Sequence, residues 1–260
     1  MNKIGSVIGI SGPVVRAAVN FPVRMFEIVH AGRESLLGEV IRIRGGAVDV
    51  QVYEETSGMR VGEPVAFSGE LLSVELGPGL LGSVLDGIGR PLARLREEGL
   101  YIGRGANIGT LDECRKWFFS PQAAPGDTIR PGETLGTLPE GARILHKVML
   151  PPNTLPGRIA WIAPPGEMSL REPVCRLEDG REIAFSHRWE VRRARPFSSR
   201  LPFNRPLMTG QRILDTLFPM ALGGAAVIPG GFGTGKTVTQ QSLAKWCNAD
   251  VIVYIGCGER

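Results

Sequence analysis

Cysteine is scarce in this chain, and its spacing is uninformative in a useful way. Cys114, Cys175, Cys247 and Cys257 stand far apart, with no C-x-x-C pair and no histidine at ligand spacing. That excludes the common zinc and iron–sulfur frameworks and a disulfide-stapled scaffold. Burial as reduced thiols is the expectation for all four. Lysine is also sparse, at five of the 30 basic residues, and the arginines that dominate are dispersed rather than striped. A net charge of +4 spread in this way is no nucleic-acid footprint. The densest basic run, residues 188–195 (RWEVRRAR), reads as a solvated or subunit-facing surface. No run of apolar residues approaches the ~18–20 needed to span a bilayer. The first residues, MNKIGSVIGISGPVV, lack the continuous apolar stretch and cleavage site of a secretory signal. A cytoplasmic location is expected.

Glycine (35) and proline (20) are abundant instead, and helical periodicity is rare before about residue 207. Both point to strands and turns. Residues 1–70 contain apolar runs at 7–10, 14–15, 37–43 and 48–53, the last in strict alternation (VDVQVY), with SGP and GG turns between them. Short, closely spaced strands of this kind close into a small barrel. Residues 71–110 are too broken by Gly and Pro for a long helix. Residues 111–190 are again strand-like, with turn signals PGD, PGE, PEG and PPG between short apolar runs. Their spacing resembles the sandwiched barrels that carry biotin or lipoate on a hairpin lysine. Lys147, however, has His146 and Val148 beside it, not the methionines of a biotin acceptor, so a plain β-scaffold is the reading.

The pattern changes from Pro206. Residues 209–217 (TGQRILDTL) have helical spacing, residues 223–228 (GGAAVI) read as a buried strand, residues 236–248 as a helix, and residues 251–255 (VIVYI) as a second all-apolar strand. Strand, Gly-rich turn, helix and strand form the opening βαβ unit of a phosphate-loop domain. The turn, residues 230–237, is GGFGTGKT. Gly230, Gly231, Gly233 and Gly235 allow backbone conformations that aim successive N–H groups inward, with Phe232 and Thr234 between them. The loop runs into a helix N-terminus, where the amides around Val238 and the helix dipole attract anions. Lys236 suits the β- and γ-phosphates of a nucleotide, and Thr237 suits Mg²⁺. Beyond the last strand come Glu259 and Arg260, at the strand end where ligands sit in open α/β sheets. A carboxylate there orients an attacking water and a guanidinium offsets charge on phosphate; a solvated pair is the alternative.

Residues 76–92 (LGPGLLGSVLDGIGRPL), 117–119 (WFF), 146–152 (HKVMLPP), 206–219 (PLMTGQRILDTLFP), 229–237 and 244–260 (AKWCNADVIVYIGCGER) together resemble the catalytic A subunit of archaeal, bacterial and vacuolar rotary ATPases of V/A type. The resemblance implies a mixed fold. An N-terminal β-barrel (1–70) is followed by part of a P-loop nucleotide-binding domain (71–110 and 191–260), interrupted by a β-rich insert (111–190). It implies ATP/ADP and Mg²⁺ as ligands, with Lys236 and Thr237 on phosphate and metal, Glu259 positioning water, and Arg260 near the γ-phosphate. Implied partners are a non-catalytic B subunit in an alternating hexameric ring, central and peripheral stalk subunits, and a membrane sector moving H⁺ or Na⁺; nucleic acid is not among them. The complex would sit peripherally on the cytoplasmic face of a membrane. Thr234 stands where eukaryotic vacuolar relatives have a cysteine. The chain stops after GER, before the strand-end Asp, adenine pocket and helical domain of the family, so a fragment inactive by itself is expected. A barrel plus P-loop could also serve a nucleic-acid translocase, but residues 1–70 offer only Phe21, Phe26, Tyr53 and Phe67 for stacking.

Overall fold

A computed structural model describes residues 3–99 and 101–258. Contacts divide the chain into two compact units, Met1–Pro196 and Phe197–Arg260.

The first unit begins with six strands: β1 (Lys3–Ser11), β2 (Val14–Ala18), β3 (Glu27–Ala31), β4 (Leu36–Arg44), β5 (Ala47–Val52) and β6 (Pro64–Leu71). They close into a barrel in the order β1-β2-β5-β4-β3-β6, all neighbours antiparallel. Closure follows from period-two patterning. Val15 and Ala17 of β2, Val48, Val50 and Val52 of β5, and Val65 and Phe67 of β6 turn inward and are buried. β-Branched valine fills so narrow an interior without rotamer cost. Gly38 is required by a close approach, because a Cβ there would lie 2.8 Å from the Val50 side chain and 2.9 Å from the Gln51 carbonyl.

Next come β7 (Ser73–Leu76) and a short helix, α1 (Leu92–Glu98). The turns between them are clipped to the barrel. Buried Arg90 bonds Asp86 at 2.7 Å, Glu54 at 3.1 Å and the Ala106 carbonyl at 3.0 Å. Gly105 N–H donates to Glu54 at 2.8 Å. Residues 71–110 belong to the first compact unit.

The remaining strands of this unit are β8 (Lys116–Pro121), β9 (Thr128–Ile129), β10 (Thr134–Glu140), β11 (Ile144–Met149), β12 (Gly157–Ile162), β13 (Gly166–Ser169), β14 (Cys175–Leu177), β15 (Glu182–Ile183) and β16 (His187–Glu190). Two four-stranded sheets, β11-β10-β8-β13 and β15-β14-β12-β9, share one core that includes Phe119, Leu135, Leu138, Ile159 and Leu177. Strand β16 returns to pair with β7. Lys147 lies within β11, opposite Thr137, and not at a hairpin tip. Its geometry is that of a strand residue and not of a carrier lysine. Of the cysteines only Cys175 is buried, and burial raises its thiol pKa to about 11. Cys114 and Cys257 are exposed, against expectation, because both fall outside strands and helices.

The barrel and the segment after β16 are joined by a polar clasp. Glu39 is buried in β4 and accepts from Arg192 at 2.9 and 2.6 Å and from the Tyr53 hydroxyl at 3.0 Å. Arg192 also lies over the Phe26 ring, 4.3 Å from its centroid. Burial first, and then the neighbouring Glu39, push the Tyr53 hydroxyl up to about 12. A raised pKa means that the neutral phenol favours the fold. Its contribution is complete below the unfolded value near 10 and is lost as pH climbs to about 12. Urea melts at pH 9 and pH 11.5 are expected to show a larger drop for the unmodified chain than for Tyr53→Phe. A second test concerns Gly136, where a Cβ would overlap the Phe119 ring and lie 2.6 Å from the Ser120 carbonyl. Gly136→Ala is expected to cost about 1–3 kcal/mol in chemical denaturation, as overpacking does.

Candidate functional site

The second unit contains a two-stranded ribbon, β17 (Pro206–Leu207) with β18 (Met220–Ala221), and two helices, α2 (Arg212–Leu217) and α3 (Lys236–Trp246). Both helices fall where the sequence periodicity put them. The two strands expected at 223–228 and 251–255 do not form. Val227, Val253 and Ile255 are 86%, 79% and 81% exposed. An all-apolar strand needs neighbours on both edges and cover on both faces. Among the described residues of this unit, one ribbon and two short helices supply neither. The apolar side of α3 is open for the same reason, with Val238 and Trp246 exposed.

Residues 230–237 lead directly into α3. Gly233 and Gly235 take φ of 79° and 83°, left-handed values that a side chain disfavours, and Gly235 is the N-cap. At Gly230 a Cβ would lie 2.5 Å from the Thr234 hydroxyl. That hydroxyl donates to the Gly231 carbonyl at 2.9 Å and closes the turn. Lys236 folds back across the loop, its ammonium donating to the Gly230 carbonyl and, at 2.6 Å, to the Gly231 carbonyl. Phe232 is 94% exposed, and the Thr237 side chain is exposed on the first turn of the helix. The leading amides of α3, at Lys236, Thr237 and Val238, have no intrahelical acceptor available to them. One cation and a set of backbone donors thus converge on the mouth of the helix, which is an arrangement suited to a polyphosphate.

Residues that sequence reasoning missed hold this helix in place. Asn248 exchanges two 3.0 Å bonds with the Met208 backbone, so the exit of α3 is tied to the chain entering α2. Asp215 accepts from Thr209 N–H at 2.9 Å and the Thr209 hydroxyl at 2.7 Å, and these bonds hold its carboxyl below the usual range. Gly210 passes against Trp246, where a Cβ would be 3.0 Å from the tryptophan Cβ. A Thr followed six residues later by Asp is the only local signal in the sequence for this anchor. Glu259 and Arg260 lie outside the described residues. Among the described residues no group of three or more His, Cys, Asp or Glu side chains is placed to hold a metal ion. No described helix is long and apolar enough to cross a membrane.

A closed barrel, a two-sheet sandwich and a Gly-rich loop opening a helix, in that chain order, define a multidomain protein of the phosphate-loop class. Three family descriptions match consecutive stretches: the ATP synthase alpha/beta family beta-barrel domain at 7–69, the ATP synthase alpha/beta subunit barrel-sandwich domain at 108–192, and the ATP synthase alpha/beta family nucleotide-binding domain at 210–260. The V-type ATP synthase alpha chain of Anaeromyxobacter dehalogenans is 51% identical over 98% of this chain and 44% of its own length. The V-type ATP synthase alpha chain of Halothermothrix orenii is 45% identical over 100% of this chain and 45% of its own. An A-type ATP synthase relative from Methanopyrus kandleri is 48% identical over 98% of this chain and 44% of its own length. Among solved structures, the assembled ATPase EscN of the type III secretion system of enteropathogenic E. coli shares the fold, with a TM-score of 0.52 at 19% identity over 95% of this chain and 40% of that one. The chain belongs to the ATP synthase alpha/beta family. Its relatives at about half identity come from V-type and A-type ATP synthases, and it spans a little under half of their length.

The loop geometry carries its own test. Gly235→Ala places a Cβ at a left-handed N-cap with nothing near enough to clash, so the cost is conformational, about 1–2 kcal/mol. Trp246 fluorescence during urea unfolding is expected to report a lower midpoint for this variant. An unchanged midpoint would mean that the loop does not hold this conformation in solution.

Proposed function

We propose that this chain is the N-terminal part of the catalytic A subunit of a V/A-type rotary ATPase, and that residues 230–238 hold the phosphates of ATP or ADP. The observation that carries the reading is Lys236 drawn over a loop of left-handed glycines, in a chain about half identical to V-type and A-type ATP synthase relatives. An incoming phosphate competes with the Gly230 and Gly231 carbonyls for the ammonium. It is the stronger acceptor because it is charged. The backbone amides of Gly231, Phe232, Gly233, Thr234 and Gly235 line the nest, and those of Lys236, Thr237 and Val238 close it at the helix mouth.

Mg²⁺ fits the donor set. With no acidic cage among the described residues, one hydroxyl, Thr237, would join phosphate oxygens and water around the ion. Mg²⁺ supplies charge neutralisation between β- and γ-phosphates when bound. Glu259 is proposed to orient the attacking water and Arg260 to approach the γ-phosphate, four and five residues beyond the 251–255 segment. The domain division proposed with this reading is a barrel at 1–70, an insert at 111–190, and nucleotide-binding segments at 71–110 and 191–260.

Partners follow from the same reading: non-catalytic B subunits that alternate with this one in a hexameric ring, stalk subunits, and a membrane sector that moves H⁺ or Na⁺, with the ring peripheral on the cytoplasmic face. The segments 223–228 and 251–255, which form no strand, support a further point, that the 260-residue chain by itself is inactive. In the full-length protein assembled with its B partner, Lys236→Ala is expected to abolish ATP turnover, measured by phosphate release. The 260-residue chain alone is expected to show no release above background. Turnover that survives Lys236→Ala overturns the phosphate role of the loop. Hydrolysis by the isolated chain overturns the claim that its site is incomplete.

A further inference from the structure

A cavity of about 290 Å³ opens in the first unit where β7, β11 and β16 meet. One wall is apolar, formed by Leu76, Leu80, Met149 and Phe185. Two cations, Lys147 of β11 and Arg195 beyond β16, line the same space. Among the described residues neither forms an ion pair with a carboxylate.

The one carboxylate in the lining is already committed. Glu140, buried at the end of β10, accepts from Gly79 N–H at 2.6 Å, Leu81 N–H at 3.3 Å and His146 Nδ1 at 3.0 Å. Arg195 is oriented by His187, whose Nε2 lies 2.9 Å from the guanidinium and must act as acceptor there. Burial first, then the neighbouring Arg195 and His146, lower the His187 pKa. The Trp189 ring supports the same guanidinium from a 4.5 Å centroid distance. An apolar wall beside two cations that, among the described residues, no carboxylate neutralises suits an anion with a short apolar body.

We infer that this cavity binds a small amphipathic carboxylate, its head on Lys147 and Arg195 and its chain against Leu80, Met149 and Phe185. The inference does not depend on the nucleotide reading. Hexanoate is the probe, with 1-hexanol as the uncharged comparison, titrated into the 260-residue chain while the Met149 methyl resonance is followed. Hexanoate is expected to shift this resonance saturably, and hexanol much more weakly. Lys147→Gln and Arg195→Gln, both at exposed side chains, are each expected to raise the Kd about two- to fivefold, a surface-discounted value for one charge-assisted contact. The proposal is overturned by a non-saturating response, by equal shifts with hexanol, or by an unchanged Kd in either variant.

Discussion

A strand persists only where its backbone groups have a ladder partner and at least one of its faces is covered, and this constraint orders the whole chain. The barrel meets it completely, since closure leaves no edge and the inward valines cover one another. The sandwich meets it by placing two four-stranded sheets over one shared core. The second unit meets it only in the short ribbon of β17 and β18. Residues 251–255 have the most strand-like composition in the chain and are not a strand here. Composition supplies the propensity, but the stabilisation has to come from neighbours.

Buried and half-buried carboxylates fix how segments distant in sequence meet within the first unit. Glu39 gathers Arg192 and Tyr53, Glu54 gathers Arg90 and Gly105, and Glu140 gathers His146 with the backbone at 79–81. Each acid is satisfied by several donors, the condition under which a buried charge is tolerated. These clasps specify geometry more than they add stability, because desolvation offsets much of the Coulomb gain. The loop at 230–237 works by the opposite arrangement. There a cation rests on the neutral carbonyls of Gly230 and Gly231.

Much of the fold was legible in residue order. Alternation in VDVQVY marked β5, and paired Gly/Pro turns marked the short strands of the insert. Helical spacing placed both α2 and α3, overrunning each by a short margin at one end. The loop was legible as well, because left-handed backbone at 233 and 235 demands glycine and the sequence supplies it. Other features were not legible. Arg90 looks like any loop arginine until Asp86, Glu54 and Ala106 surround it. Asn248 gives no hint that it ties α3 to Met208. Cys114 and Cys257 follow no periodicity from which exposure could be read.

The sequence by itself determined the local conformations: which residues turn, which alternate, and where a glycine-rich loop opens a helix. These depend on sterics and side-chain period within a few residues, so they are written in order along the chain. Only the tertiary structure decided that residues 71–110 pack with the barrel, that Glu39 reaches Arg192 across 153 positions, and that two apolar runs near residues 223 and 251 stay open. Those outcomes depend on which partners arrive from far along the chain, and local pattern carries no record of them.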